Sequence, residues 1–331
     1  MRTTCLVNNY NYREFIADAV DSALAQSLPF DEIVVVDDGS TDDSLWHLRQ
    51  RYTNRPVVSI VAKENGGQLS AFNAGMEEST GDVIFFLDAD DLYRVDYVER
   101  TVELYKSEGI DFAIAGVESF GPALKRQRKR FPRRDLGYST LATLLGKTYV
   151  GGPTSAISMH RRIATSVLPC PFEQDWRTRA DDVLVLGSSI AGARKYQMAG
   201  VGVDYRVHGG NNFSGRKRMV GHKLRHGLAV NRLVQWYAKQ MGYDTDELPT
   251  LLHREFQTIE HPTLREWWNY LKMSWRSHVP LAVRARHLGE TTQHYWKERL
   301  TRSADDTVAE EPTQGEILSL PARQSEQRRA A

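Results

Sequence analysis

The stretch that most constrains this chain is Val83-Ile84-Phe85-Phe86-Leu87-Asp88-Ala89-Asp90-Asp91. An unbroken apolar run, entered from Gly81-Asp82, stops in three carboxylates. Such a run predicts a strand buried on both faces of a parallel sheet. Its carboxylates then fall at the C-terminal edge, where open α/β sheets bind ligands. Side chains alternate along an extended strand, so Asp88 and Asp90 point the same way if extension persists. Two hard oxygen donors there can hold Mg²⁺ or Mn²⁺, ions that usually also take substrate phosphates. The structural alternative is an acidic strand-end turn in which Asp91 caps the next helix.

The chain before this strand repeats its pattern. Thr3–Val7 reads as a first strand, ending in the polar and aromatic turn Asn8-Asn9-Tyr10-Asn11-Tyr12. Phe15, Ile16, Ala19, Val20, Ala23 and Leu24 then recur at helical spacing. Ile33–Val36 is a second buried strand, again ending in acids, Asp37-Asp38, before Gly39 permits a tight turn. Ser40-Thr41-Asp42-Asp43 has the residue types of a helix start. Leu45, Trp46 and Leu48 are expected to bury that helix. Val57–Val61 is a third strand, the Glu64-Asn65-Gly66-Gly67 loop allows close backbone approach, and a helix is expected over Ser70–Glu78. Strands alternating with helices in this way imply an α/β doubly wound sheet.

After the acidic strand, a helix is expected near Val95–Glu108 and a strand over Asp111–Gly116. The run Lys125-Arg126-Gln127-Arg128-Lys129-Arg130-Phe131-Pro132-Arg133-Arg134 reads as a solvated loop, or else as a contact for an anionic acceptor or membrane surface. A further strand is expected over Ala156–Met159. Ala180-Asp181-Asp182 begins a helix, where first-turn acids also compensate the helix dipole. Val201–Val207 is strand-like and ends at His208, followed by Gly209-Gly210-Asn211-Asn212.

Charge is nearly balanced over the 331 residues, 43 basic against 42 acidic, which argues against nucleic acid as a partner. Cys5 and Cys170 form no disulfide framework and no zinc spacing, which fits a reducing compartment. No apolar signal segment opens the chain, and no stretch reaches the roughly 18 apolar residues of a membrane span. A cytoplasmic protein is expected, with peripheral contact at the inner face of the plasma membrane as an option. Beyond His222 the chain becomes helical, basic and aromatic, with Trp236-Tyr237, Trp267-Trp268, Tyr270, Trp275 and Tyr295-Trp296. Most of these rings are expected to pack inside; the alternative puts some of them at a membrane interface. The expected organisation is a catalytic domain over 1–215, a helical region over 216–300 and a disordered tail over 301–331.

Several of these stretches together resemble the family 2 glycosyltransferases, which have the GT-A nucleotide-diphospho-sugar transferase fold. Tyr10-Asn11 with the helix ending Ala23-Leu24-Ala25-Gln26-Ser27 is similar to that family's nucleotide-binding unit. Ile33–Asp42 is similar to its second motif, and Asn65-Gly66-Gly67 with Asn73-Ala74-Gly75 to its third. Gly81-Asp82 through Asp91 resembles the strand carrying its DXD motif. Ala180-Asp181-Asp182 resembles the segment supplying the catalytic base, and Tyr205–His208 with Asn211 a late motif near diphosphate and metal. The resemblance spans about Thr3 to Asn212 and implies a three-layer mixed sheet with a helical C-terminal extension outside it. Two positions depart: Asn8 stands where the family commonly has proline, and Phe72 where it commonly has arginine. Both lie near the nucleotide base in the family.

The resemblance implies a metal-dependent, inverting hexosyltransferase. It would move sugar from a nucleotide-diphosphate donor, UDP-sugars first, to a hydroxyl of a glycan or lipid-linked acceptor in polysaccharide or cell-envelope biosynthesis. Mn²⁺ or Mg²⁺ would bridge the departing phosphates as a Lewis acid. Asp90 is then the first metal ligand, with Asp88 at the ribose or ion and His208 completing the shell; a packing role for His208 stands beside this. Tyr10, Asn11, Asp37, Asp38, Gly67 and Asn73 would surround the nucleotide. Asp182, and second Asp181, would take the acceptor proton. Three other readings compete. A haloacid-dehalogenase-like phosphohydrolase also has Asp-x-Asp, but places it near its N-terminus. A receiver-like signalling module is shorter and needs a lysine strand. A degenerate transferase acting as a binding or scaffold subunit would not turn over a donor.

Overall fold

The computed structural model describes residues 1–121, 131–209, 220–244 and 247–305. Its first half alternates as expected: β1 (Thr3–Asn9), α1 (Ile16–Leu24), β2 (Glu32–Asp37), α2 (Ser44–Tyr52), β3 (Val58–Ala62), α3 (Gln68–Glu78) and β4 (Val83–Asp88). Then come the short β5 (Leu92–Tyr93), α4 (Tyr97–Glu108), β6 (Phe112–Phe120), β7 (Arg134–Gly137) and α5 (Thr140–Gly146). A 3₁₀ turn at Thr154–Ala156 leads into β8 (Ile157–His160), α6 (Arg161–Val167), α7 (Ala180–Ile190) and β9 (Lys195–Arg206). Helices α8 (Val220–Gln240), α9 (Leu252–Phe256), α10 (Leu264–Arg276) and α11 (Leu281–Asp305) follow.

The strands form one mixed sheet in the order β3-β2-β1-β4-β8-β6-β9-β5, with β7 beside β9. β3, β2, β1 and β4 run parallel, and β8 lies antiparallel between β4 and β6. The register sets Asn8 opposite Asp88 and Asn9 opposite Asp37, so three strand ends finish at one level. Alternate residues of the apolar strands enter different cores. Leu6, Val34, Ile84 and Phe86 pack under α3, α6, α7 and α8; Cys5, Val7, Val35, Phe85 and Leu87 pack under α1, α2 and α4. Covering on both faces is the physical reason these strands tolerate no polar residue until their ends.

The C-terminal helices are shared between two cores. The boundary near 215 falls within residues 210–219, outside the described residues. Beyond it α8 starts no core of its own, because Leu233, Val234 and Tyr237 join the layer over the sheet. A smaller core joins Leu141 and Ala142 of α5 to Leu252, Phe256, Tyr270 and Tyr295 of α9, α10 and α11. α11 runs to Asp305, past the expected start of the tail, whose residues 306–331 lie outside the described residues. In α2 the structure buries Leu48 but leaves Trp46 63% exposed, because the face that meets the sheet layer is the stripe Ser44, Leu48 and Tyr52, and Trp46 lies off it.

Candidate functional site

β4 delivers Asp88 as its last residue, and the chain then turns. The Asp91 N–H donates to the Asp88 carbonyl at 3.1 Å. Extension therefore ends at the first acid, and Asp88 and Asp90 reach the same cleft through a turn rather than by strand alternation. The cleft has a volume of about 940 Å³. Its walls are the Asn8–Phe15 turn, Asp38, the Asn65–Gln68 loop, Arg177–Arg179, Tyr205 and His208.

Asp88 is held from two sides. Gln68 Nε2 donates to its Oδ1 at 2.9 Å. The Asn8 amide, oriented with nitrogen toward the strand end, donates to the same oxygen at 2.9 Å. Burial, then the charges of Asp90, Asp91 and Asp181, push the Asp88 carboxyl well above the usual carboxylate range. Asp90 Oδ2 lies 3.0 Å from His208 Nε2. The His208 ring packs 4.7 Å from Phe15 and edge-on to Tyr12 at 5.8 Å. Arg206 Nε donates to the Asp90 carbonyl at 2.8 Å.

Asp91 caps no helix. It is fully buried, accepting from the Arg206 N–H at 3.0 Å and from Ser155 Oγ at 2.6 Å. Burial and the Asp90 charge push it up to about 7. It clips β9, and hence the Tyr205–His208 segment, onto the end of β4.

Among the described residues, no three His, Cys, Asp or Glu side chains form a ready-made metal cage. The donor set is instead an open one, a carboxylate and an imidazole in contact with a second carboxylate nearby. Mg²⁺ and similar ions commonly take only one or two carboxylates beside substrate phosphates. The like-charge crowding around Asp88 is what a divalent cation relieves. Asp90, His208 and Asp88 therefore fit such an ion.

The other acidic strand end is built differently. Asp37 accepts from Asn9 Nδ2 at 2.7 Å, from Ser40 Oγ at 2.8 Å and from the Ser40 N–H at 3.0 Å. It does not line the cleft. Asp38 does, but its oxygens accept from the Gly66 and Gly67 N–H groups at 2.9 and 2.7 Å and from Lys63 Nζ at 2.9 Å. Gly67 adopts φ +93°, and a Cβ there would lie 2.5 Å from the Arg177 Cα. Only glycine lets the two cleft walls meet. Asn11, at φ +59°, accepts from the Thr41 and Asp42 N–H groups at 2.7 and 3.3 Å and shapes the cleft mouth. Tyr10 is 44% exposed at that mouth, with its ring open to a ligand face. Asn73 is buried away from the cleft, tying α3 to both backbone groups of Cys170.

At the start of α7 the two acids part company. Arg179, at φ +66°, donates to both oxygens of Asp182 at 2.8 and 2.9 Å. Asp182 is buried, with His226 Nε2 3.5 Å away. Asp181 is half-buried and accepts from Tyr149 Oη at 3.3 Å. Burial and the Asp182 charge push it up to about 6, and its own charge is felt at Asp88. Neither acid lines the cleft itself; both directly follow its Arg177–Arg179 rim.

Sequence reasoning missed Gln68. Its amide nitrogen holds Asp88 while its oxygen accepts from the Ala180 N–H at 2.9 Å, so it spans the end of β4 and the start of α7. No pattern marks such a bridge, since its partners lie 20 and 112 residues away. Tyr12, Phe15 and Arg179 were missed likewise. Of the two departures, Asn8 lines the cleft, but Phe72 is buried against Phe86 and does not line it. The described end of the basic run is tied down: Arg133 pairs with Glu108, and Arg134 with Glu266 at 2.7 Å. Lys125–Arg130, Asn211 and Asn212 lie outside the described residues.

Residues 4–167 match the model of glycosyl transferase family 2, a span that includes Asp88 and Asp90 but ends before Asp181 and His208. An uncharacterized glycosyltransferase of Nostoc sp. is 30% identical over 64% of this chain and 66% of its own length. A chondroitin synthase of Escherichia coli is 36% identical over 30% of this chain and 14% of its own length. The chain thus spans about two thirds of the first relative and a small part of the second. Among solved structures, S. aureus TarS residues 1–349, crystallised with UDP-GlcNAc, is similar with a TM-score of 0.58 at 16% identity, covering 92% of each chain. That likeness bears on the fold, a GT-A arrangement of the mixed sheet. Cleft, motif order and family model agree, and this chain belongs to glycosyl transferase family 2.

Proposed function

We propose that this protein transfers a sugar from a nucleotide-diphosphate donor to a hydroxyl of a glycan or lipid-linked acceptor, with inversion. The single observation that carries the reading is the contact of Asp90 with His208 beside the crowded Asp88, at the edge where β1, β2 and β4 end together. In this reading Asp90 and His208 hold Mn²⁺ or Mg²⁺, with Asp88 close by. When bound, the ion supplies Lewis-acid stabilisation of the departing diphosphate. Asp88, fixed by Gln68 and Asn8, would orient the ribose or help to hold the ion. Tyr10 stacks on the base, and Asp38 and Asn11 keep the loops that frame it in place.

The acceptor oxygen attacks the anomeric carbon as the bond to the diphosphate breaks, and its proton passes to a carboxylate. Asp181 is the better base. Both Asp182 oxygens are engaged by Arg179, whereas the Asp181 carboxyl is raised toward neutrality and its charge is felt at Asp88. Asp182 then serves as the buried anchor of α7. One base and no covalent partner imply a single displacement. TarS was crystallised with UDP and UDP-GlcNAc, which favours a UDP-sugar donor. Relatives described as chondroitin and hyaluronan synthases favour a polysaccharide acceptor.

Thermal melting against a panel of nucleoside diphosphates and their sugars, with and without Mn²⁺, tests this. A ligand that binds only the folded state raises the melting temperature. A shift with UDP or a UDP-sugar that requires Mn²⁺ is expected. No shift with any member would overturn the reading.

A further inference from the structure

The outer side of α10 and α11 shows an arrangement that the cleft does not explain. α10 places Leu264, Trp268 and Trp275 at i, i+4 and i+11, one stripe of a helix, and they are 61%, 52% and 62% exposed. On α11, Leu281 and Trp296 are 68% and 53% exposed. The two helices are joined by a run of touching rings. Trp267 stacks on Tyr295 at 5.2 Å, with Trp268 and Trp296 adjoining at either end.

Each exposed tryptophan carries a cation over its ring: Lys272 on Trp268 at 5.4 Å, Arg284 on Trp275 at 5.9 Å and Arg299 on Trp296 at 6.0 Å. The acids are turned the other way. Residues 264–299 hold seven lysines and arginines but three glutamates, in a chain whose overall charge is only +1. Glu266 pairs with Arg134 and Glu298 with His261, each on another element, and Glu290 with His253 of α9 at 3.2 Å and with Arg286 of its own helix at 3.9 Å. Arg265, Lys272, Arg276, Arg286 and Lys297 are exposed. A surface that removes its acids inward and mixes leucine, tryptophan and cations outward matches the chemistry of an interfacial helix. No helix among the described residues is long and apolar enough to cross a membrane.

We infer that the outer face of α10 and α11 binds the surface of an anionic lipid bilayer, lying on it with Trp268, Trp275 and Trp296 at headgroup level. Tryptophan suits that depth because its ring is apolar and its N–H stays wet. Exposed leucines distinguish the face from a platform for single-stranded nucleic acid, where stacking rings and cations suffice. The inference is independent of the proposed transfer reaction.

Cosedimentation of the full chain with vesicles tests it, without nucleotide or metal. Binding to phosphatidylcholine vesicles containing phosphatidylglycerol, and much weaker binding to phosphatidylcholine alone, is expected. Trp268→Ser, Trp275→Ser and Trp296→Ser together should weaken binding at least about tenfold. Lys272→Gln, Arg276→Gln and Lys297→Gln together should weaken it about a hundredfold. The six positions are exposed, and unchanged melting temperatures would confirm that both variants fold. Absence of binding to anionic vesicles would overturn the inference. So would equal binding by the tryptophan variant, tighter binding to single-stranded nucleic acid, or self-association through these tryptophans seen in sedimentation equilibrium.

Discussion

Strands β2 and β4 stand on either side of β1, and each runs apolar into acids at the same edge of the sheet. The acids of β2 are satisfied. Asp37 is closed by Asn9 and Ser40, and Asp38 by two glycine N–H groups and Lys63. The acids of β4 are crowded. Asp88 and Asp91 are both raised by burial and by neighbouring charge, which the Gln68 and Asn8 amides, the Ser155 hydroxyl and the backbone N–H and charge of Arg206 offset in part. A buried carboxylate with its hydrogen bonds made is a structural part; a group of them that repel is a place for a cation. The pattern is the same at both strand ends, and the partners that arrive from elsewhere make the difference.

The largest effect expected from breaking this contrast is on the β4 side. Asp90→Asn should reduce donor turnover by about a thousandfold or more, the scale of losing electrostatic transition-state stabilisation. It should leave the melting temperature unchanged or raise it, because one of the repelling charges is gone. A variant that melts far below the parent would show that Asp90 is structural, like Asp38.

Next comes the pair on α7. Asp181→Asn should cost about a hundredfold to ten-thousandfold in transfer, with nucleotide-dependent thermal stabilisation retained. Asp182→Asn should instead lower stability, since the buried Arg179 pair is broken. The parent rate should rise with pH through about 6, because Asp181 must be ionised to accept a proton, and this limb should vanish in Asp181→Asn. The linkage has the opposite sign for folding. Asp181 titrates higher folded than unfolded, so its contribution is fully present below the unfolded value and lost as pH rises through about 6. Denaturant melts from pH 4 to 7 should show this contribution disappear in Asp181→Asn.

On the β2 side the measurable loss is stability. Asp38→Asn should destabilise by about 2–3 kcal/mol, the cost of removing a charged acceptor from buried N–H donors. Urea unfolding reads it directly. If turnover fell while stability held, Asp38 would belong with the β4 acids. The smallest effect is expected for Asn8→Ala, which removes one of two donors to Asp88 and should change the Michaelis constant for donor by about tenfold or less.

Much of this was legible in the chain. The runs Ile33–Val36 and Val83–Leu87 are apolar at every position, which admits only strands covered on both faces. The helices between them force a layered sheet with its strand ends together. The mixed half was less legible, because β8 has four residues and its antiparallel place between β4 and β6 depends on pairing partners far along the chain. Trp46 is expected inside yet lies outside because an apolar residue in a short helix carries no mark of which face meets the core. The tryptophans of α10 and α11 divide for the same reason: Trp267 stacks on Tyr295 while its neighbour Trp268 faces out.

By itself, then, the sequence determined the strands, their acidic ends and the glycine turns, because these follow from local periodicity and backbone sterics. Tertiary structure alone decided which acids are spent. Whether Asp38 meets Gly67, Asp182 meets Arg179 or Asp88 meets Gln68 depends on loops brought together across the sheet edge. A carboxylate's charge state and freedom to act are set by those neighbours, not by its place in the chain.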